Sequence, residues 1–438
     1  MSRRRMKDLS YPCRHDNYLR QRTIHIESEV AIPGCRETCY ASCWFPATEQ
    51  QMKDFLQRAR LHPKYQDYSI RILRCPPVPE IADMRIGDFS LEELNFLAKR
   101  LAVLPQPEIT AMKALLQGTG DIPYEKSEPV AIRDLINMTY GVEDLPVVAD
   151  IYSLRDLGEY VIENELHPEI SEIPKEYRYL LDREKIGEMQ RDCDDGVIRE
   201  GMYVATEEFS MPDIYNGTDL PESEDDRNVV FRLLISETTC SDEYGTEDIA
   251  EWISLPIRPA EADAVAQEHG RKHIELCALQ DIESAIPALN MNTFNDMMDF
   301  RFLNELAEWY LAMSPMEQVK YKAMLEAEPV LDAERALQLA KELPAYEHSY
   351  YSLSPQEFFR EYVSHFTDRH FDGQWLDGIT EPVAAGELLR KLGATQTDYG
   401  VVSAYGSQLF APVPRFDEQA QTADPAEEDT DEGMGMRL

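Results

Sequence analysis

Residues 94–99 read LNFLAK, and residues 303–308 read LNELAE. At the same spacing downstream, KALL at 113–116 recurs as KAML at 322–325. The first of these segments belongs to an apolar stripe at helical spacing, which predicts a helix with one buried face: Leu94, Leu97, Leu101 and Leu104. A helical module therefore occurs twice along the chain, which indicates a fold that contains an internal repeat.

Weaker matches continue the repeat on either side of the helices. They pair WFP at 44–46 with SLP at 254–256, YSL at 152–154 with YSL at 351–353, KIG at 185–187 with KLG at 391–393, and GVI at 196–198 with GVV at 400–402. Two capping boxes, Thr48 with Gln51 and Ser90 with Glu93, mark helix starts in the first copy. Each copy is predicted to open with a β-like segment, continue through helices and close with a strand pair.

The predicted fold class is α+β, an elongated tandem array of small α+β and helical subdomains. The predicted boundaries are a basic N-terminal segment at 1–22; copy 1 subdomains at 23–88 (α+β), 89–145 (helical) and 146–205 (C-terminal α+β); an acidic linker at 206–228; copy 2 subdomains at 229–290 (α+β), 291–345 (helical) and 346–413 (C-terminal); and an acidic, disordered tail at 414–438.

The composition predicts a folded and strongly acidic protein. The 438 residues include 82 Asp and Glu against 43 Lys and Arg, for a net charge of -39, yet 43% of the residues are hydrophobic. A surface of this sign repels phosphates, so nucleic acids and anionic membranes are excluded as ordinary partners. The sequence carries no apolar run of membrane-spanning length, and eight cysteines are few for a disulfide framework, so we expect a cytoplasmic protein.

The negative charge is unevenly distributed. Residues 118–230 carry -19, whereas the first 117 residues carry +4. Two acidic stretches, 206–227 and 417–438, are typical of flexible, solvated segments. Any functional acidic surface is therefore expected after residue 117.

Motifs for catalysis are missing from the sequence. It contains no glycine-rich phosphate loop, no nucleophile elbow and no His-Glu-x-x-His helix, so we expect no enzyme and no cofactor. The strongest alternative is a metal-binding adaptor of a mobile element, organised by Cys35, Cys39 and Cys43. Their spacing fits the common zinc pairs poorly, and the alternative reading is three small, reduced apolar side chains.

Carboxylates on successive helix turns could instead stand in for DNA phosphates. Duplex DNA carries one charge per roughly 1.7 Å, so 39 net charges would imitate about 65 Å, or about twenty base pairs. The predicted partner-binding acids are Glu159, Glu163, Glu165, Glu169, Glu172, Glu176, Asp182, Glu184, Asp192, Asp194 and Asp195 in copy 1, with Glu357, Glu361 and Asp368 in copy 2. The alternative reading of such a run is an ordinary solvated face.

Several segments of copy 1 resemble the ArdA-type antirestriction proteins of plasmids, conjugative transposons and phages. The resemblance is carried by WFPATE at 44–49, IGDFSLEELNFLA at 86–98, LGEY at 157–160, IP at 173–174, LDREKIG at 181–187 and GMYV at 201–204. It covers about residues 23–205, and copy 2 resembles the family mainly through copy 1.

The resemblance implies three-domain, elongated, acidic dimers that imitate bent DNA and occupy the DNA-binding cleft of type I restriction–modification enzymes. Family members are usually a single copy, so this chain is expected to act either as a homodimer or as a pseudo-dimer within one chain. The family's glycine-rich early stretch is replaced here by the cysteine segment. The expected function is anti-defence: a non-enzymatic DNA mimic that binds a host restriction–modification enzyme.

Overall fold

The computed structural model describes residues 22–31, 38–60, 68–117, 128–221, 226–236, 250–291, 293, 297–328, 332–350, 354–367 and 380–403. The chain divides into two compact units, one formed by residues 1–285 with 296–298 and the other by residues 286–295 with 299–438. The described part is α+β, with helices packed around small three-stranded antiparallel sheets.

The first unit begins with an antiparallel sheet. Its strands are β1 (Ile24–Ala31), β2 (Thr38–Phe45) and β3 (Tyr68–Arg74), in the order β2-β1-β3. The helix α1 (Glu49–Arg58) follows β2 and starts at the predicted capping box of Thr48 and Gln51, and a single helical turn, α2 (Glu80–Asp83), follows β3.

Three helices complete the core of this region: α3 (Leu91–Val103), α4 (Gln106–Leu115) and α5 (Ile132–Gly141). The capping box of Ser90 and Glu93 is present at the start of α3, and Leu94, Leu97 and Leu101 are buried as predicted. Asn95, on the same helix, binds both the backbone N–H and the carbonyl of Ala47 at 2.8 Å. The sheet and the helices therefore share one hydrophobic core.

Residues 146–205 form a smaller module, which we call the acidic subdomain. Its strands are β4 (Val147–Ala149), β5 (Val197–Arg199) and β6 (Met202–Val204), in the order β4-β6-β5. Its helices are α6 (Leu154–Glu163), α7 (Pro168–Ser171) and α8 (Arg183–Cys193), with a 3₁₀ helix at Lys175–Leu180. A separate small core lies between α6, α7 and the sheet.

A third sheet closes the first unit. Its strands are β7 (Phe231–Ser236), β8 (Glu251–Leu255) and β9 (Ala278–Ser284), and the helix α9 (Pro259–Glu268) follows β8. In the order β8-β7-β9, the strand that comes first in the chain lies in the centre, so the strand order is second-first-third, as in the first sheet.

The second unit repeats most of the element order of residues 91–204, although α7 and the 3₁₀ helix at Lys175–Leu180 have no counterpart among its described elements. Its helices are α10 (Phe300–Ala312), α11 (Pro315–Ala327), α12 (Ala333–Glu342), α13 (Pro355–Thr367) and α14 (Glu381–Leu392). Its strands β10 (Glu347–Ser349), β11 (Ala394–Thr397) and β12 (Gly400–Ser403) pair in the order β10-β12-β11. Short 3₁₀ helices elsewhere in the chain are Val142–Asp144, Ile274–Leu276, Met297–Asp299 and Leu343–Ala345.

The predicted match between residues 94–99 and 303–308 places both segments at the same position within their helices. The two glycine-containing matches near the ends of the repeat are wrong. Both α3 and α10 have 13 residues, and α10 starts 209 residues after α3. In contrast, Gly187 lies inside α8, whereas Gly393 follows α14 with φ 60° and ends that helix. Likewise, Gly196 precedes β5 while Gly400 opens β12, whose place in its sheet is that of β6. The repeated YSL at 351–353 lies outside the described residues.

The structure corrects the predicted solvated linker at two positions, although Glu207, Glu208, Asp213 and Asp219 are exposed as predicted. Tyr215 is 2% exposed, and its backbone N–H and carbonyl both bind the side chain of Asn137 at 2.8 and 2.9 Å. Asp226 is 7% exposed, lies 2.8 Å from the Lys99 ammonium and accepts a bond from the N–H of Glu49 at the start of α1. The linker is therefore anchored to the first unit at Tyr215 and Asp226, while most of its other described residues are exposed. Residues 222–225 and the acidic tail lie outside the described residues.

None of the helices that the structure describes is long and apolar enough to cross a membrane.

Candidate partner-binding surface

The predicted acids of copy 1 lie on the outer side of the acidic subdomain. Ten of the eleven are exposed: Glu159, Glu163, Glu165, Glu169, Glu172, Glu176, Asp182, Glu184, Asp192 and Asp195. Between residues 154 and 195 the sequence has thirteen Asp and Glu against six Lys and Arg, for a net charge of -7. The structure therefore gathers these acids on one small module.

Close packing of α6 against α8 positions the helical acids. A Cβ atom on Gly158 would lie 1.7 Å from the Arg183 carbonyl oxygen, and one on Gly187 would lie 1.8 Å from the Leu154 carbonyl oxygen. Only glycine fits at these two positions, so the helix backbones touch. With Leu157 and Val161 turned into the core, the carboxylates of Glu159 and Glu163 are left on the solvent side of α6.

The exposed face of α8 carries acids at intervals of four residues. Glu184, Glu188 and Asp192 are all exposed, and residues four apart share a helix face. Sequence reasoning missed Glu188, although its spacing from Glu184 could have identified it. The stripe has one charge per about 6 Å of helix axis, compared with about 3.4 Å along one DNA strand. The charge density of this stripe is therefore lower than that of a DNA strand. The exposed acids between α6 and α8, at residues 164–182, which we call the α6–α8 connection, add to the charge of the surface.

Four of the ten exposed acids are paired with basic groups. Glu159 lies 3.3 Å from Arg183, Asp192 lies 2.7 Å from Arg191, and Asp182 lies 3.8 Å from Lys185. Glu165 accepts a hydrogen bond of 2.8 Å from Arg178, and this bond lowers the pKa of its carboxyl.

Six acids of this surface make no ion pair or side-chain hydrogen bond within the described ranges: Glu163, Glu169, Glu172, Glu176, Glu184 and Asp195. Their carboxylates are fully available to a positively charged partner.

Asp194 has a structural role instead. It is half-buried, and it accepts hydrogen bonds from the Tyr203 hydroxyl at 2.8 Å and from the Gln190 amide at 2.6 Å. Burial, followed by the bond to Asp194, raises the pKa of Tyr203. These contacts hold the end of α8 against β6, so Asp194 supports the surface without presenting its charge.

The predicted acids of copy 2 do not form an equivalent surface in the described residues. Glu357 is 4% exposed in the first turn of α13, so its carboxylate is not presented to solvent, and this prediction is corrected. Glu361 is half-buried on the same helix. Asp368 lies outside the described residues.

An ion-pair cluster, not predicted from the sequence, attaches the acidic subdomain to the rest of the first unit. Lys113 on α4 is 7% exposed and donates a bond of 2.6 Å to Glu200, in the turn between β5 and β6. Hydrogen bonding from Lys113 lowers the pKa of Glu200. The neighbouring Arg199 binds the Lys113 carbonyl oxygen at 3.2 Å and pairs with Glu80 on α2. No sequence motif marks this cluster, because its members are far apart along the chain.

Of the three cysteines in the metal-binding alternative, the structure describes only Cys39 and Cys43, and these two are separated along one strand. Cys35 lies outside the described residues, while Cys39 and Cys43 are four residues apart on β2, a separation of about 13 Å along a strand. Cys39 donates to the Arg58 carbonyl oxygen at 3.0 Å, and burial raises the pKa of Cys43 to about 12. Among the residues whose placement is described, no three His, Cys, Asp or Glu side chains are arranged to hold one metal ion.

The chain matches no family model and no curated protein.

Proposed function

We propose that this chain is an antirestriction DNA mimic, a non-enzymatic inhibitor that occupies the DNA-binding cleft of a host type I restriction–modification enzyme. The observation that carries the proposal is the set of six exposed acids on the acidic subdomain that have no basic partner in the described part of the chain. Their charge would meet the Lys and Arg side chains that normally bind phosphates, so association would be fast and would weaken with salt.

We further propose that the chain consists of two ArdA-like copies in tandem, carried by a mobile element and acting in the cytoplasm. The recurrence of the sheet order second-first-third, the three-helix segment and the closing sheet supports a duplication. In this proposal the two copies replace the two subunits of a dimer, or the whole chain dimerises again.

The first test neutralises three acids of the α6–α8 connection with the triple variant Glu169→Gln, Glu172→Gln and Glu176→Gln. Binding to a purified type I enzyme, measured by surface plasmon resonance over a salt series, should weaken by about tenfold at low salt. The slope of log Kd against log salt concentration should also decrease, because fewer charges contribute.

The matched control is the triple variant Asp83→Asn, Asp88→Asn and Glu92→Gln. These acids are also exposed and make no ion pair in the described part of the chain, but they lie before residue 117, outside the proposed surface. The control should bind like the original chain. Equal weakening by both variants would show that only total charge matters and would reject a defined surface.

A further inference from the structure

Three exposed apolar side chains adjoin the acids of the α6–α8 connection. Tyr177, Tyr179 and Leu180, which we call the tyrosine ridge, are 55%, 68% and 68% exposed. Single exposed apolar residues are common on folded proteins, but several adjacent ones indicate an interaction site. This apolar site differs from an ordinary hydrophobic patch because its neighbours along the chain are acidic.

The geometry of the 3₁₀ helix at 175–180 explains why the ridge points outward. Residues three apart share one side of such a helix. Lys175 and Arg178 share the side that meets Glu165, at 3.8 and 2.8 Å. Arg178 is also anchored by its 3.0 Å bond to the Ile173 carbonyl oxygen. Arg178 therefore anchors one side of this helix, while Lys175 remains exposed on its first turn. Tyr177 and Leu180 share a second side and Tyr179 lies on the third, and all three side chains are exposed.

We infer that the tyrosine ridge is the apolar centre of the surface that docks on the basic, DNA-binding face of the target enzyme. Four exposed acids that have no partner among the described residues lie within eight positions of it along the chain: Glu169, Glu172, Glu176 and Glu184. Protein interfaces combine a central aromatic cluster with a polar rim, and tyrosine is enriched among the residues that dominate binding energy. This inference rests on the proposed function and adds an apolar contact to its electrostatic one.

Charge complementarity favours a basic partner over a second copy of this chain. Two copies joined at the ridge would bring together two 154–195 segments of net charge -7 each, which repel. A positively charged cleft is attracted by the same acids. The apolar contact would then retain part of the affinity when salt screens the charges.

The test compares salt dependence in the double variant Tyr179→Ser and Leu180→Ser. Binding of the full chain to a purified type I restriction–modification complex should weaken by about tenfold at both low and high salt. The slope of log Kd against log salt should stay unchanged, because no charge has been removed. The variant Val103→Ser, at a 69% exposed valine on α3, should bind like the original chain.

Folding is checked separately. The Tm of the double variant should be unchanged, because both side chains are exposed, and Tyr179→Phe should keep full affinity because it retains the ring. Unchanged affinity of the double variant overturns this inference alone. A loss of self-association in sedimentation, with enzyme binding kept, would also overturn it and would assign the ridge to a second copy. If the original chain fails to bind at low salt, the proposed function and this inference fall together.

Discussion

At the scale of single residues, acids from equally acidic stretches of sequence differ in their burial and in the groups that they bind. Asp226 is buried beside Lys99, Asp194 supports the Tyr203 hydroxyl, and Glu169 is exposed and has no partner among the residues whose placement is described. The sequence predicted the acidic segment but not these differences, because burial and pairing depend on residues far away in the chain. For the same reason the prediction for Glu357 was wrong, since its helix turns that carboxylate inward.

Gly158 offers a direct test of the packing that positions the acids. The variant Gly158→Ala places a methyl group against backbone atoms of α8, and it should destabilise the first unit by about 3 kcal/mol or more. Gly386→Ala is the control, since a Cβ atom there meets nothing within 4 Å; it should be neutral or stabilise by up to about 1 kcal/mol. Urea unfolding followed by circular dichroism measures both, and equal stability of the two variants would contradict the packing described here.

The Lys113–Glu200 pair predicts a specific pH dependence. Because the folded-state pKa of Glu200 lies below its ordinary value of 4.5, the pair stabilises the fold above that pH. This contribution is lost as the pH falls below 4.5 through the lowered pKa. Since the Glu200 side chain is 40% exposed, we expect no more than about 1 kcal/mol. In Lys113→Met, the difference in unfolding free energy between pH 6 and pH 3 should shrink; an unchanged difference would show that the pair contributes nothing.

At the scale of elements, local patterns predicted the helices well. The capping boxes before α1 and α3 are present, and the leucine stripe of α3 faces the core. Short glycine motifs were less reliable, because Lys185–Gly187 and Lys391–Gly393 look alike although one lies inside a helix and the other at a helix end. The linker was predicted only in part: Glu207, Glu208, Asp213 and Asp219 are exposed as expected, but Tyr215 and Asp226 are buried by contacts that no local pattern shows.

Asn137 should control the order of the linker. It is 3% exposed, and its side chain binds the N–H groups of Ile214 and Tyr215 and the carbonyl of Tyr215. Asn137→Ala leaves these buried backbone groups unsatisfied and should cost about 2–3 kcal/mol. Limited proteolysis should cut residues 206–221 quickly in the variant and slowly in the original chain. Equally fast cleavage of both would support the flexible linker instead.

At the scale of the whole molecule, charge and repetition together support the proposed mimicry. The sequence placed the acidic excess after residue 117, and in the described residues the exposed, partnerless acids of the proposed surface lie on the acidic subdomain. The sheets and helices recur in the same order in the second half of the chain, but Glu357 and Glu361 do not recreate the surface there. We therefore expect the acidic subdomain to dominate binding.

The most direct test is competition with DNA. Purified chain is titrated at low salt into a type I restriction–modification enzyme bound to fluorescently labelled DNA, and the anisotropy of the DNA is recorded. We predict that the chain displaces the DNA completely, that added salt weakens the displacement, and that neutralising Glu169, Glu172 and Glu176 reduces it. DNA that stays bound at every concentration of the chain, together with unimpaired restriction in cells that express it, would contradict the proposed function.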